Sequence, residues 1–135
     1  MVEFLGTSLV LLVPLVYLVL VLGQLQAGAF AAEAAARESG RILARADDLV
    51  LGRAQAVAAV ELAFADQGLA VDGAGVLSVA CDRDPCRTPG ARMHVTVALE
   101  VDLPLVPDVL GGVIPTAVPV RADHVAVVDR FAQVP

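Results

Sequence analysis

The sequence predicts an α+β fold: a long N-terminal membrane-spanning helix that continues into a small antiparallel β-sheet domain. Three observations predict it. An uncharged apolar run, Phe4 to Leu22, opens the chain and is almost unbroken Leu and Val. A proline-free, Ala-rich stretch follows over residues 23–67. After Gly68 apolar and polar residues begin to alternate, most clearly from Arg92 to Leu103, and a period of two is the mark of a strand with one buried face. The divisions are 1–23 for the transmembrane helix, 24–67 for a helical extension and 68–135 for the sheet domain.

Composition narrows the function. The chain has 135 residues, 58% of them hydrophobic and 4% aromatic, with a mean hydropathy of +0.77. That is too apolar for a disordered chain or an ordinary soluble domain. Nine Arg and no Lys stand against fifteen acidic residues, for a net charge of -6. A nucleic-acid partner requires a basic face, so none is expected. Two Cys and two His are too few for a self-contained zinc site.

The first element is the membrane span. Nineteen residues from Phe4 to Leu22 match the roughly 30 Å hydrocarbon core of a bilayer. A domain this small has too little chain to wrap such a segment on all sides. Pro14 lies mid-span, where the lost backbone donor predicts a kink. A cleavable signal peptide is the rival reading, because Ala27-Gly28-Ala29 resembles a cleavage site. Against it stand the missing basic n-region and the length of the apolar run. No Cys lies near the span, which excludes a lipoprotein anchor. The first Arg after it is Arg37, so the positive-inside rule does not support an external C-terminus; the cysteines do.

The second element is the helix beyond the membrane. Ala, Gln, Glu and Arg dominate residues 23–67 and favour helix. Glu33 and Arg37 form an i,i+4 pair, and Arg41 and Arg45 continue that face. Leu43, Val50, Val57 and Phe64 repeat every seven residues, with Ala46 and Val60 between them. This predicts an apolar stripe packed on the sheet. Asp47-Asp48 offers a cap for a second helix, which would place a break near residue 47. Gly68 fits as the C-terminal stop.

Strands follow. Asp72 to Gly75 is turn material, and Val76–Cys81 reads as a short strand. In Arg92–Leu103, Val95, Val97, Leu99, Val101 and Leu103 share one face, with His94, Thr96, Glu100 and Asp102 on the other. Pro104 to Pro119 reads as a long connection with room for one helical turn. Val120–Val128 is a last strand of poorer alternation.

Candidate sites are few. Cys81 and Cys86 flank a four-residue polar loop, too wide for a thioredoxin-like motif, whereas a disulfide across the turn is sterically reasonable. Such a bond suits an oxidising compartment. His94 and His124 fall on different strands, and with Asp102, Asp123 or Glu100 they could form a weak metal site, but no spacing demands it. Exposed histidines are the simpler reading, and no metal or other cofactor is expected. No GxSxG, HExxH, P-loop or GxGxxG is present, and no enzymatic activity is expected. Glu3 stands at the edge of the apolar run, where a carboxylate needs a partner or water. Gly28, Ala32, Ala36, Gly40 and Ala44 form a small-residue ladder of the kind that lets helices approach closely.

Val2-Glu3-Phe4 opening an apolar span, the stretch Ala34-Ala35-Ala36-Arg37-Glu38-Ser39-Gly40-Arg41 and the late strands resemble the TadE-like pilus assembly proteins. These are minor pilins of the tight-adherence (Tad/Flp) type IV pilus system. Their opening is similar to G-S-x-x-V-E-F, and their post-span segment to A-A-R-E-G-A-R. Leu103-Pro104-Leu105-Val106-Pro107 resembles a later part of the same family. The resemblance implies a pilin-like fold and a structural subunit in the cell membrane, with its C-terminal domain outside. It implies other pilin subunits and the pilus assembly machinery as partners. It also implies an assembly role for Glu3. The family carries a short basic leader removed by a prepilin peptidase, and this sequence opens inside that region, so that either the true start lies upstream or this member is not processed. A single-pass envelope protein with an external ligand-binding or sensing domain is the alternative reading. A third is a secreted domain released after Ala29.

Overall fold

The computed structural model describes residues 1–104, 106, 112 and 115–131. Two helices, one helical turn and three strands follow one another: α1 (Val2–Arg45), α2 (Leu49–Ala65), α3 (Gly73–Val76), β1 (Leu77–Cys81), β2 (Arg92–Asp102) and β3 (Ala117–Val127). Helix first and antiparallel sheet second is the predicted α+β class. At 1.5 Å per residue the 44 residues of α1 extend about 65 Å. The helix continues through Pro14.

The stretch 24–67 is a helical hairpin rather than one extension. α1 ends at Arg45, and Ala46 is extended. Asp48 then caps α2, its Oδ1 accepting from Val50 N–H at 2.6 Å and Leu51 N–H at 3.4 Å. α2 runs back along α1. Buried Ser39 donates its hydroxyl to the Ala56 carbonyl at 3.4 Å, and nearer the turn Leu43 approaches Gly52. A Cβ on Gly52 would lie 2.5 Å from the Cβ of Ala46, so the tight turn requires glycine there.

The expected apolar stripe holds at Val60 and Phe64, which are buried, and fails at Val50 beside the reversal. The seven-residue repeat from Leu43 assumes one continuous helix, and Val50 is instead 79% exposed. In α2 the buried positions are Gly52, Ala56, Val60 and Phe64, every fourth residue, and this face packs mainly on α1. The stop falls where Gly68 predicts it. Leu69 N–H donates to Phe64 C=O and Gly68 N–H to Ala65 C=O, with Gly68 at φ 73°. This is a Schellman ending, and it turns Leu69 toward Gly28.

The sheet is an antiparallel meander, β1-β2-β3. The residues of β2 alternate as predicted: Met93, Val95, Val97 and Val101 are buried, and His94, Glu100 and Asp102 are exposed. β1 begins at Leu77, one residue after the expected start, because Asp72 caps the single turn α3 and Val76 completes it. β3 begins three residues earlier than its alternation suggests and includes Pro119, which pairs with Glu100. Only an edge strand accommodates this, with the missing N–H on its free side. The helical turn expected within Pro104–Pro119 lies outside the described residues.

α1 lies across β2 and β3, while α2 flanks it on the side of β1. The core joins Val60 and Phe64 to Leu77, Met93, Val95 and Val97. Each large side chain contributes about 1.5–3 kcal/mol by leaving water.

Candidate functional site

The candidate site is the half of α1 that none of the described residues covers. α1 changes character near Gly28. Up to Gln26 its residues are exposed or half-buried, and from Gly28 onward one side of the helix is buried. Phe4 is 76% exposed, and Leu5, Leu9, Leu12, Leu15 and Leu18 are all exposed. The segment is long and apolar enough to cross a membrane, and no part of the spanning window is buried within the chain. Water is a poor solvent for this surface, and lipid or other apolar helices suit it.

Glu3 lies in the first turn of that segment and is exposed. Its carbonyl accepts the hydroxyl of Thr7 at 2.9 Å. Among the described residues its carboxylate has no ion-pair partner. The apolar half therefore carries one acid and no base.

The small-residue ladder belongs to the other half. Gly28, Ala32, Ala36 and Gly40 are buried and Ala44 is half-buried, and the element against Gly28 and Gly40 is the chain's own sheet. A Cβ on Gly28 would lie 2.8 Å from Val101, and one on Gly40 would lie 2.9 Å from His124 and 3.2 Å from Ala126. At Gly28 and Gly40 the close contact is helix on sheet. The small residues let α1 settle close to β2 and β3, and that face is not free for another subunit.

Cys81 and Cys86 are joined, with Cα atoms 5.4 Å apart. The bond closes the loop between β1 and β2. Just beyond it, Arg87 donates to the carbonyl of Asp47 and lies 3.7 Å from its carboxylate. The disulfide loop is thereby tied to the turn between the two helices.

The histidines are not a pair. His94 is opposite Val125, and His124 is opposite Val95, so the two imidazoles emerge on opposite faces of the sheet. His124 is also not simply solvated, for it is half-buried against Gly40. Asp123 faces outward and accepts from Arg121 and from the hydroxyl of Thr96. The Arg121 guanidinium, helped by Thr96, lowers its carboxyl to about 2. Among the described residues no group of three His, Cys, Asp or Glu is placed to hold a metal ion.

Ser39, buried between the helices, was not singled out by the sequence; its only local signal is a small polar residue on a strongly apolar helix. No known protein family, curated protein or solved structure matches this chain.

Proposed function

We propose that the chain is a pilin-like, TadE-like structural subunit that assembles or anchors a type IV-like surface pilus. α1 would hold it in the cell membrane as a single span, with the sheet domain outside. The observation that carries this reading is the division of one continuous helix. Its second half is packed on the chain's own sheet, and its first half is bare. Such a molecule has a head and an anchor that can exchange lipid for neighbouring helices. It works by association rather than by chemistry. Its partners are other pilin subunits and the pilus assembly machinery, prepilin peptidase among them.

Glu3 gives the assembly step its polarity. As the span leaves the headgroup region for an apolar bundle, an ionised carboxylate loses water and needs a cation. The first Arg of the same helix is 34 residues away, about 50 Å, so no side chain of that helix supplies the cation. A neighbour's N-terminal amine, provided a leader is removed to expose it, is the partner that suits an uncharged bundle. Glu3→Ala should leave membrane insertion and the Cys81–Cys86 bond intact while copurification with pilins and surface piliation fall. Both remaining unchanged would reduce Glu3 to an interfacial carboxylate and count against the reading.

A further inference from the structure

Both outer strands of the sheet present open edges among the described residues. The central strand bonds to β1 through its even positions and to β3 through its odd ones. Asp82 N–H donates to Arg92 C=O, whereas Val128 N–H donates to Ala91 C=O and Leu103 N–H to Thr116 C=O. By that alternation Val79 and Cys81 turn their backbone groups outward on one edge. Asp123, Val125 and Val127 do so on the other. A row of such groups is a template for an added strand. β3 is blunted near its start by Pro119 and by the Arg121–Asp123 ion pair. Its second half is not blunted. Val125 is 48% and Val127 53% exposed, beside a groove lined by Gly40, Arg41 and Arg45 of α1, with Asp129 at its end.

The anchor limits which strand can add there. Gly28 of α1 meets Val101, the partner of Val118, and Gly40 meets His124 and Ala126. β3 therefore ascends in the same sense as α1, away from the apolar half. Antiparallel pairing of two β3 edges, or of two β1 edges, would point the second copy's α1 the opposite way. Copies inserted alike in one membrane cannot do this. β1 is antiparallel to β2, as β3 is, so β1 and β3 run in the same direction.

Charge selects the same partner. Through β2, Cys81 lies level with Ala126, and Asp82 lies level with Val127. A neighbour's β1 in matching register brings the loop of Asp82, Arg83 and Asp84, acidic by one charge, to the end of β3, beside Arg41, Arg45 and Asp129. Arg41 also holds Glu38, whereas Arg45 has no ion-pair partner among the described residues. We propose that β1 of one copy adds in parallel to β3 of a second copy, carrying the sheet from subunit to subunit. Such a head-to-tail contact does not close on itself and builds an open row. The inference rests on the assembly reading for its occupant, a second copy, but uses a surface separate from the bare half of α1.

The test uses two differently tagged full-length copies, one with Ala80→Cys and one with Val125→Cys, expressed together in the source cell. Both positions are exposed on the outer face and both are opposite His94. A short bismaleimide reacts with these thiols and not with the Cys81–Cys86 bond. The expected product is the mixed adduct, reduced several-fold by Arg45→Glu in the second copy and restored by Asp84→Arg in the first. Adducts between two Val125→Cys copies, adducts to a different protein, no adduct, or an adduct indifferent to Arg45→Glu each overturn the proposed contact. If the mixed adduct is absent while Glu3→Ala still lowers pilin copurification, the edge contact alone falls. If both effects are absent, the assembly reading falls with it.

Discussion

Asp123 illustrates how much a single exposed side chain can be held by its neighbours. Its carboxylate accepts from Arg121 and Thr96 on the outer face of the sheet, and these bonds lower its pKa from 3.8 to about 2. Depression of a carboxyl means that the folded state favours the ionised form. The stabilisation is therefore complete above about pH 4 and is lost as pH falls through about 2. Solvent screens the pair, so the gain is small. A carbon-detected titration of Asp123 in detergent-solubilised protein should give a midpoint near 2, moving toward the ordinary value in Arg121→Gln. A midpoint near 4 in the unmodified chain would contradict the hydrogen-bonded arrangement. Neither this pair nor the burial of Ser39 was legible in the sequence. Both depend on strand register and on the return of α2, which bring together residues 27 positions apart in one case and 17 in the other.

At the scale of elements, legibility followed the range of the forces. Asp48 as a cap and Gly68 as a stop act within one turn, and both were readable from residue type alone. β2 was readable because Met93 to Val101 faces a packed core while His94 to Asp102 faces solvent. The stripe on α2 was readable in part: Val60 and Phe64 are buried and Val57 half-buried as the repeat expects, whereas Val50, in the first turn after the break, is exposed. The small-residue ladder was visible as a pattern, but its partner was not. A row of Gly and Ala permits close approach by a sheet as readily as by a helix, and only the fold assigns it to Val101, His124 and Ala126. The disulfide was readable from spacing, and its consequence is measurable. Closing a six-residue loop contributes about 2 kcal/mol in the chain-entropy account. Replacing both Cys81 and Cys86 by Ser should lower Tm by on the order of 10 °C for a domain of this size. Non-reduced protein from the envelope should be about 2 Da lighter than its reduced form, the mass of the two hydrogens lost with the bond. Free thiols in that protein would count against the bond and against the external placement of the sheet domain.

The whole molecule is a packed head on a bare stem. The core of Val60, Phe64, Met93, Val95 and Val97 holds α2 and the sheet onto α1 only from Gly28 onward. Below that point no described residue covers the helix, and the surface from Phe4 to Leu22 depends on its surroundings. In lipid those surroundings are acyl chains. In an assembled filament, under the proposed function, they are the corresponding helices of other subunits. The exchange needs no catalytic group, and it gives the single acid at the start of the stem a reason to seek a cation from another chain. The measurement that tests this most directly is photo-cross-linking from a diazirine amino acid at Leu12, in the middle of the bare segment, in the source cell. The account predicts covalent adducts to the apolar helices of other pilin subunits, increasing when filaments are assembled. Adducts to lipid alone, in cells bearing filaments, would contradict it.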